Sequence, residues 1–169
     1  MSRILVMFFS MGGHTRRIAE EIRDATDGDI EEIIELRPRY GMTGMLRALW
    51  DSFLRRKPGV LAPRHALFDY DVLALGGPIW ARHLAAPVRT FAEGYASRAK
   101  RVAFFCTEGK SGAEIAFADL GRLCQQKPVA VLAVDAQHLA PAEHRSELGH
   151  FVAGLRRVGL PEKQGRTVR

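Results

Sequence analysis

The sequence predicts an α/β fold, a three-layer α/β/α sandwich built on a five-stranded parallel sheet. Five short apolar runs alternate along the chain with segments in which apolar residues recur at helical spacing. The runs are nearly continuous in apolar residues, which is typical of strands that helices cover on both faces. A length of 169 residues with 47% hydrophobic residues fits one domain with a sizeable core. We expect a single domain over residues 1–160 and a loose basic tail over 161–169.

The first predicted strand, residues 4–9, leads into a polar turn that contains two glycines, and a helical pattern follows it. A strand-to-helix turn presents backbone N–H groups and the positive end of a helix dipole, which together favour an anion. The turn therefore predicts a site for one phosphate, formed by Ser10, Gly12, Gly13, His14 and Thr15. A tight connection without a ligand is the alternative. No Lys follows the glycines and no G-x-G-x-x-G is present, so triphosphate and dinucleotide loops of the usual kind are excluded.

The second predicted strand, residues 30–36, alternates with polar residues, as expected at a sheet edge. The chain then leaves the strand–helix rhythm in a helical excursion over 40–60, where residues 42–56 carry an apolar helix face. Either this face packs on the sheet, or the excursion forms a lid or subunit contact that carries Tyr40 and Trp50. A homodimer formed through this helix is one hypothesis.

The third predicted strand, residues 70–75, is followed by a second loop over 76–83 that contains Pro78, Ile79, Trp80 and Ala81. A Trp on a loop above a strand end favours a stacking surface, and core packing is the alternative. The fourth predicted strand, 102–106, leads into a third polar loop that contains Thr107, Glu108, Gly109 and Gly112, and 128–134 forms the fifth strand. Since ligands bind beyond the carboxyl ends of parallel strands, the three loops predict one crevice.

Composition excludes several classes of function. The net charge of +6 comes from Arg and Lys scattered along the chain, which indicates a solvated surface and not a nucleic-acid site. No apolar run is long enough for a membrane span and no export signal is evident, so a cytoplasmic protein is expected. Cys106 and Cys124 lack the spacing of metal ligands, so no metal site is predicted. We expect both to be small buried hydrophobic residues. We expect four further histidines to lie at the surface: His65, His138, His144 and His150.

At this point the chain resembles the flavodoxin-like family of FMN-binding proteins over nearly its whole length, from Ile4–Ser10 through Tyr70–Trp80 to Val102–Gly109. The resemblance implies strand order 2-1-3-4-5 and a single FMN. The first loop of the family typically reads [ST]-x-T-G-[NH]-T, which Ser10, Gly13, His14 and Thr15 match. Gly12 stands where the family has a hydroxyl residue, so one phosphate donor is missing.

The same resemblance implies that the second loop lines the flavin ring and that the third loop offers N–H groups to the polar edge of the ring. Lys110 near that edge would favour the anionic reduced flavin, whereas Glu108 would disfavour it. His83, next to the Trp80 loop, is a candidate proton donor to a reduced substrate.

Three functions remain open from the sequence. The basic charge departs from the acidic electron carriers of the family and favours an FMN-dependent oxidoreductase, which passes electrons from a reduced nicotinamide or a reductase to a quinone-like acceptor. A non-catalytic flavodoxin-type electron-transfer protein is the first alternative. A flavin-free module that binds another anion or a partner is the second, supported by Gly12.

Overall fold

The computed structural model describes residues 2–37, 57–80, 82–109, 111–137, 139–140 and 142–158. Within these residues the strands are β1 Ile4–Phe8, β2 Asp29–Glu32, β3 Val72–Trp80, β4 His83–Leu84, β5 Val102–Glu108 and β6 Val131–Asp135. The α-helices are α1 His14–Thr26, α2 Ala86–Tyr95, α3 Ala113–Cys124 and α4 Arg145–Arg157.

The sheet has the order β2-β1-β3-β5-β6, and all neighbours along this path are parallel. The short β4 pairs with the end of β3 in the antiparallel sense. Since β5 and β6 correspond to the fourth and fifth predicted strands, the expected order 2-1-3-4-5 is confirmed. The second strand lies at an edge, as its polar alternation predicts.

Two apolar clusters, one on each face of the sheet, form the core. Side chains of β1 alternate between them, with Leu5 and Met7 on one face and Ile4, Val6 and Phe8 on the other. The first cluster packs against α2 and α3 and the second against α1 and α4. Because both faces are covered, every residue of β1 is buried, which explains the continuous apolar run.

The prediction of a loop over 76–83 is wrong, because β3 continues to Trp80 and turns into a hairpin with β4. The glycines that suggested a turn lie inside a central strand. A Cβ on Gly76 would lie 2.5 Å from ring atoms of Phe105, and one on Gly77 would lie 2.6 Å from Cγ2 of Val88. These glycines therefore reflect close packing on the two faces of the sheet.

The second strand is shorter than predicted, and the residues after it meet a later segment. Glu35 and Val60 form an antiparallel bridge, next to which the amide of Leu61 donates to the carbonyl of Ile34 at 2.9 Å. The predicted helix over 42–56, with Tyr40 and Trp50 of the excursion, and the tail over 161–169 lie outside the described residues.

Candidate functional site

The predicted ligand segments meet at one edge of the sheet because they follow β1, β3 and β5, which are neighbours. The backbone joins the first two directly, since the amide of Phe9 donates to the carbonyl of Gly76 at 3.1 Å. The prediction that the three segments lie at a common edge is confirmed by this strand order.

The first turn has the geometry of an anion site. Gly13 precedes α1 with φ of 87°, a conformation that glycine adopts readily, and its amide donates to Oγ of Ser10 at 3.1 Å. Among the described residues, a Cβ on Gly12 or Gly13 would meet nothing within 4 Å, so there is open space beside the turn at these two positions. The first turn of α1 has no acidic residue, and amides of a first helical turn lack intrahelical acceptors. His14 is exposed beside them.

A buried contact joins the first turn to the third segment. The hydroxyls of Thr15 and Thr107 lie 2.8 Å apart, and the two residues are only 1% and 3% exposed. Both were predicted as ligand-binding residues, and the structure shows that their hydroxyls engage each other. The contact fixes the start of α1 against the end of β5.

Trp80 lies on a strand, whereas the sequence predicted a loop. It pairs with His83 across the hairpin, is partly buried, and meets the ring of Phe9 edge-on with the ring centroids 6.2 Å apart. At the hairpin tip Arg82 has a φ of 65°, and the predicted Ala81 lies outside the described residues. Within the described part of the chain, the buried Nδ1 of His83 has no hydrogen-bond partner.

The third segment is held by two local features. One carboxylate oxygen of Glu108 accepts a hydrogen bond from the amide of Ala113 at 3.0 Å, which satisfies the first amide of α3. Gly112 has a φ of 128°, and a Cβ there would lie 2.9 Å from Cγ2 of Ile79 and 3.1 Å from Cα of Arg82. The third segment therefore sits tightly against the hairpin. Lys110 lies outside the described residues.

A cavity of about 280 Å³ opens between the hairpin tip and the start of α3, lined by Arg82, Glu108, Ser111, Gly112, Ala113, Glu114 and Ile115. Residues of the first turn are not part of this lining, so the cavity and the first turn are separate features of the same edge. Of the lining residues, Glu108 and Gly112 were predicted to bind the cofactor, whereas Arg82, Ser111, Ala113, Glu114 and Ile115 were not. Arg82 lies within the predicted loop over 76–83, and this position was the signal available for it.

The cysteines are buried and unreactive. Cys106 and Cys124 are 0% and 1% exposed, as predicted, and neither forms a disulfide. Burial raises the pKa of the Cys106 thiol far above its usual range, with a smaller contribution from the carboxylate of Glu108. Burial also raises the pKa of Cys124 to about 12. Both thiols are therefore protonated at neutral pH, so neither acts as a nucleophile at this edge.

The described residues hold neither a metal-binding cluster nor a membrane-spanning helix. Their His, Cys, Asp and Glu side chains form no group of three or more that could hold a metal ion. None of the helices in this part of the chain combines the length and apolarity that crossing a membrane needs.

A family model described as "Flavodoxin" matches residues 50–153 of the chain. No curated protein sequence matches at the significance required.

Solved structures share the fold over most of their length. A flavoprotein from Lactobacillus acidophilus, determined in complex with FMN, is 18% identical with a TM-score of 0.68, over 81% of this chain and 96% of that one. A candidate flavoprotein from Bacteroides eggerthii is 25% identical with a TM-score of 0.69, over 89% of this chain and 98% of that one. An archaeal flavodoxin is 16% identical with a TM-score of 0.59, over 92% and 98% of the two chains.

Proposed function

We propose, from the premise that this chain belongs to the flavodoxin family, that it binds one FMN at the carboxyl edge of β1, β3 and β5 and acts as an FMN-dependent oxidoreductase. In this proposal electrons pass from a reduced nicotinamide or a reductase to a quinone-like or similar small acceptor. The observation that carries the proposal is the meeting of the first turn, the hairpin and the third segment at one edge, tied by the buried Thr15–Thr107 contact.

The first turn fits the phosphate of FMN. The amides at the start of α1 lack intrahelical acceptors, and Gly12 and Gly13 leave open space beside them. No acidic residue of the first helical turn repels an anion. Two side chains of this turn stabilise it. The hydroxyl of Thr15 contacts the hydroxyl of Thr107, and the hydroxyl of Ser10 accepts a hydrogen bond from the amide of Gly13.

The hairpin and the third segment fit the flavin ring. Trp80 is partly buried with its indole edge-on to Phe9, and part of the indole stays accessible for stacking. One carboxylate oxygen of Glu108 accepts the amide of Ala113 at the start of α3. Gly109 leaves space for a ligand, since a Cβ there would meet nothing within 4 Å. FMN, when bound, accepts and donates electrons at its isoalloxazine ring.

Two observations support this cofactor and this reaction. The similar Lactobacillus acidophilus protein was determined with FMN, which supports FMN as the ligand. The net charge of +6 favours an oxidoreductase over a dedicated carrier, because the family resemblance implies carriers that dock through carboxylates. We also propose a cytoplasmic location, since the proposed donor is an intracellular metabolite.

The cofactor is tested by the absorption spectrum of the purified protein and by titration of the FMN-free protein while flavin fluorescence is followed. We expect a yellow protein, or one that binds added FMN with strong quenching. Gly13→Ala should weaken FMN binding, because Ala is strained at a φ of 87°. Gly94→Ala is the matched control, since Gly94 lies in α2 with open space and without a positive φ. Failure of the wild type to bind FMN would favour the flavin-free module.

The reaction is tested by the oxidation of a reduced nicotinamide with a water-soluble benzoquinone as acceptor. We expect acceptor-dependent turnover by the FMN-loaded protein. Slow turnover with the nicotinamide, combined with fast reduction by a partner reductase, would contradict the enzyme and identify an electron-transfer protein.

A further inference from the structure

A second cavity lies away from the flavin site, between α1 and α4. It has a volume of about 970 Å³ and opens where β1 begins and α1 and α4 end. The predicted ligand loops lie at the other edge of the sheet, where β1, β3 and β5 end. An occupant of this groove would therefore not compete with FMN. The volume is at the upper end of the range for small-molecule sites.

The floor of the groove is an apolar stripe. Leu148, Val152 and Ala153 lie on α4 at the spacing of one helix face, and Ile4 and Ala25 also line the groove. Gly149 lies on the same stripe, and a Cβ there would meet nothing within 4 Å. Small residues on both helices thus keep the groove open, and an apolar body is what this floor accommodates.

The rim at the amino edge is cationic. Arg156 and Arg157 line the groove there, and one guanidinium nitrogen of Arg156 donates to the carbonyl of Ala25 at 2.6 Å. This bond holds the guanidinium at the end of α1, where it also offsets the partial negative charge of the helix C-terminus. Its remaining donors, with those of Arg157, suit a carboxylate. Asp27 is the one acidic residue of the lining, and Arg145 stands at the opposite end of α4.

We propose that this groove binds a free medium-chain fatty carboxylate, with its head group on Arg156 and Arg157 and its chain along the apolar stripe. The rise of an α-helix places Leu148 about 12 Å from Arg156 along the axis, a length that a medium acyl chain spans. The charge of the rim favours an anion, and the apolar floor favours an apolar chain. This site is independent of the proposed flavin chemistry.

Calorimetric titration of the full chain with dodecanoate, below its micelle concentration, tests the proposal. We expect one binding site per chain, with the same affinity in the FMN-loaded and FMN-free protein. The variant Arg156→Gln/Arg157→Gln should bind at least tenfold more weakly. The control Arg101→Gln/Lys127→Gln removes the same two charges from exposed residues outside the groove and should bind normally. Arg145→Gln should have the smaller effect of a distant charge.

The floor is tested with Ala153→Trp, which fills the groove from an exposed position of α4 and should abolish binding while the unfolding temperature and FMN affinity stay unchanged. Equal binding of dodecyltrimethylammonium would overturn the proposal, because a cation should be rejected. Absence of dodecanoate binding, or unchanged binding in the Arg156→Gln/Arg157→Gln variant, would overturn it as well. A dimer in sedimentation that Ala153→Trp dissociates would show a second copy in the groove, which is also a contrary result.

Discussion

The hydroxyl of Thr15 in the first turn of α1 lies 2.8 Å from the hydroxyl of Thr107 near the end of β5, and both side chains are buried. The two residues are 92 positions apart in the chain. One hydroxyl donates and the other accepts, so each satisfies the other in a place that water does not reach. The contact joins the proposed phosphate end of the site to the strand that leads into its third segment.

Thr107→Val should destabilise the FMN-free protein by about 1–3 kcal/mol, because it leaves the hydroxyl of Thr15 buried without this partner. Thr15→Val should act in the same way. The double variant should cost less than the sum of the single ones, since it removes both hydroxyls and leaves none unsatisfied. Urea unfolding of the four proteins measures the coupling. Additive effects would show that the two hydroxyls are not coupled.

Gly12→Thr should tighten FMN binding by about 0.5–1.5 kcal/mol, the usual contribution of one hydrogen bond. The position has room for the side chain, because a Cβ there would meet nothing within 4 Å. Gly12→Val is the matched control, since it has the same shape without the hydroxyl. The gain should be absent for riboflavin, which lacks the phosphate. An equal gain with riboflavin would assign the effect to another part of the ligand.

Gly112→Ala should destabilise the fold by about 1–3 kcal/mol, because Ala is strained at a φ of 128° and its Cβ would press on Cγ2 of Ile79. Gly109→Ala in the same segment is the control, since it has open space and no positive φ. Thermal unfolding of the two variants makes the comparison. Equal stabilities would mean that the third segment adjusts freely against the hairpin.

Trp80→Ala should weaken FMN binding by about 1–3 kcal/mol if the indole stacks on the flavin ring. Trp80→Phe should retain most of the affinity, because an aromatic face remains. Fluorescence titration gives the affinities, and thermal unfolding gives the contribution of the contact with Phe9. Unchanged affinity together with a lower unfolding temperature would assign Trp80 to core packing alone.

Glu31 should make the protein sensitive to acid. Burial acts to raise the pKa of this carboxyl, but hydrogen bonds from the amides of Arg64 and His65 and from the His65 ring outweigh it, so the pKa falls below 4.5. The pKa of Glu31 is lower in the folded protein than in the unfolded chain, so the ionised carboxylate stabilises the fold. This stabilisation is complete at pH values above the unfolded-state pKa, and it is lost as the pH falls through the folded-state pKa.

The stability difference between wild type and Glu31→Gln should therefore be largest near neutral pH and shrink as the pH is lowered from about 6 to about 3. Urea unfolding across this range measures it. Glu20→Gln, at an exposed position of α1, should show no such trend. A difference that stays constant with pH would mean that the charge of Glu31 contributes nothing.

Several features escaped prediction because they depend on contacts between distant segments. His144 was expected at the surface, but it is 4% exposed, and its Nε2 lies 2.7 Å from a carboxylate oxygen of Glu21. The Gly76-Gly77 pair suggested a turn, whereas Phe105 and Val88 require glycines inside a strand. A local pattern cannot distinguish these cases, because the partners come from elsewhere in the chain.

The sequence by itself determined the layered fold, its strand order through the family resemblance, and the segments that carry the candidate site. It could do so because burial on both faces of a parallel sheet requires continuous apolar runs, and parallel strands end at one edge. Only the tertiary structure decided that Thr15 meets Thr107, that Trp80 lies on a hairpin and that a groove opens between α1 and α4. These features depend on strand register and helix packing, which bring together residues that no local spacing relates.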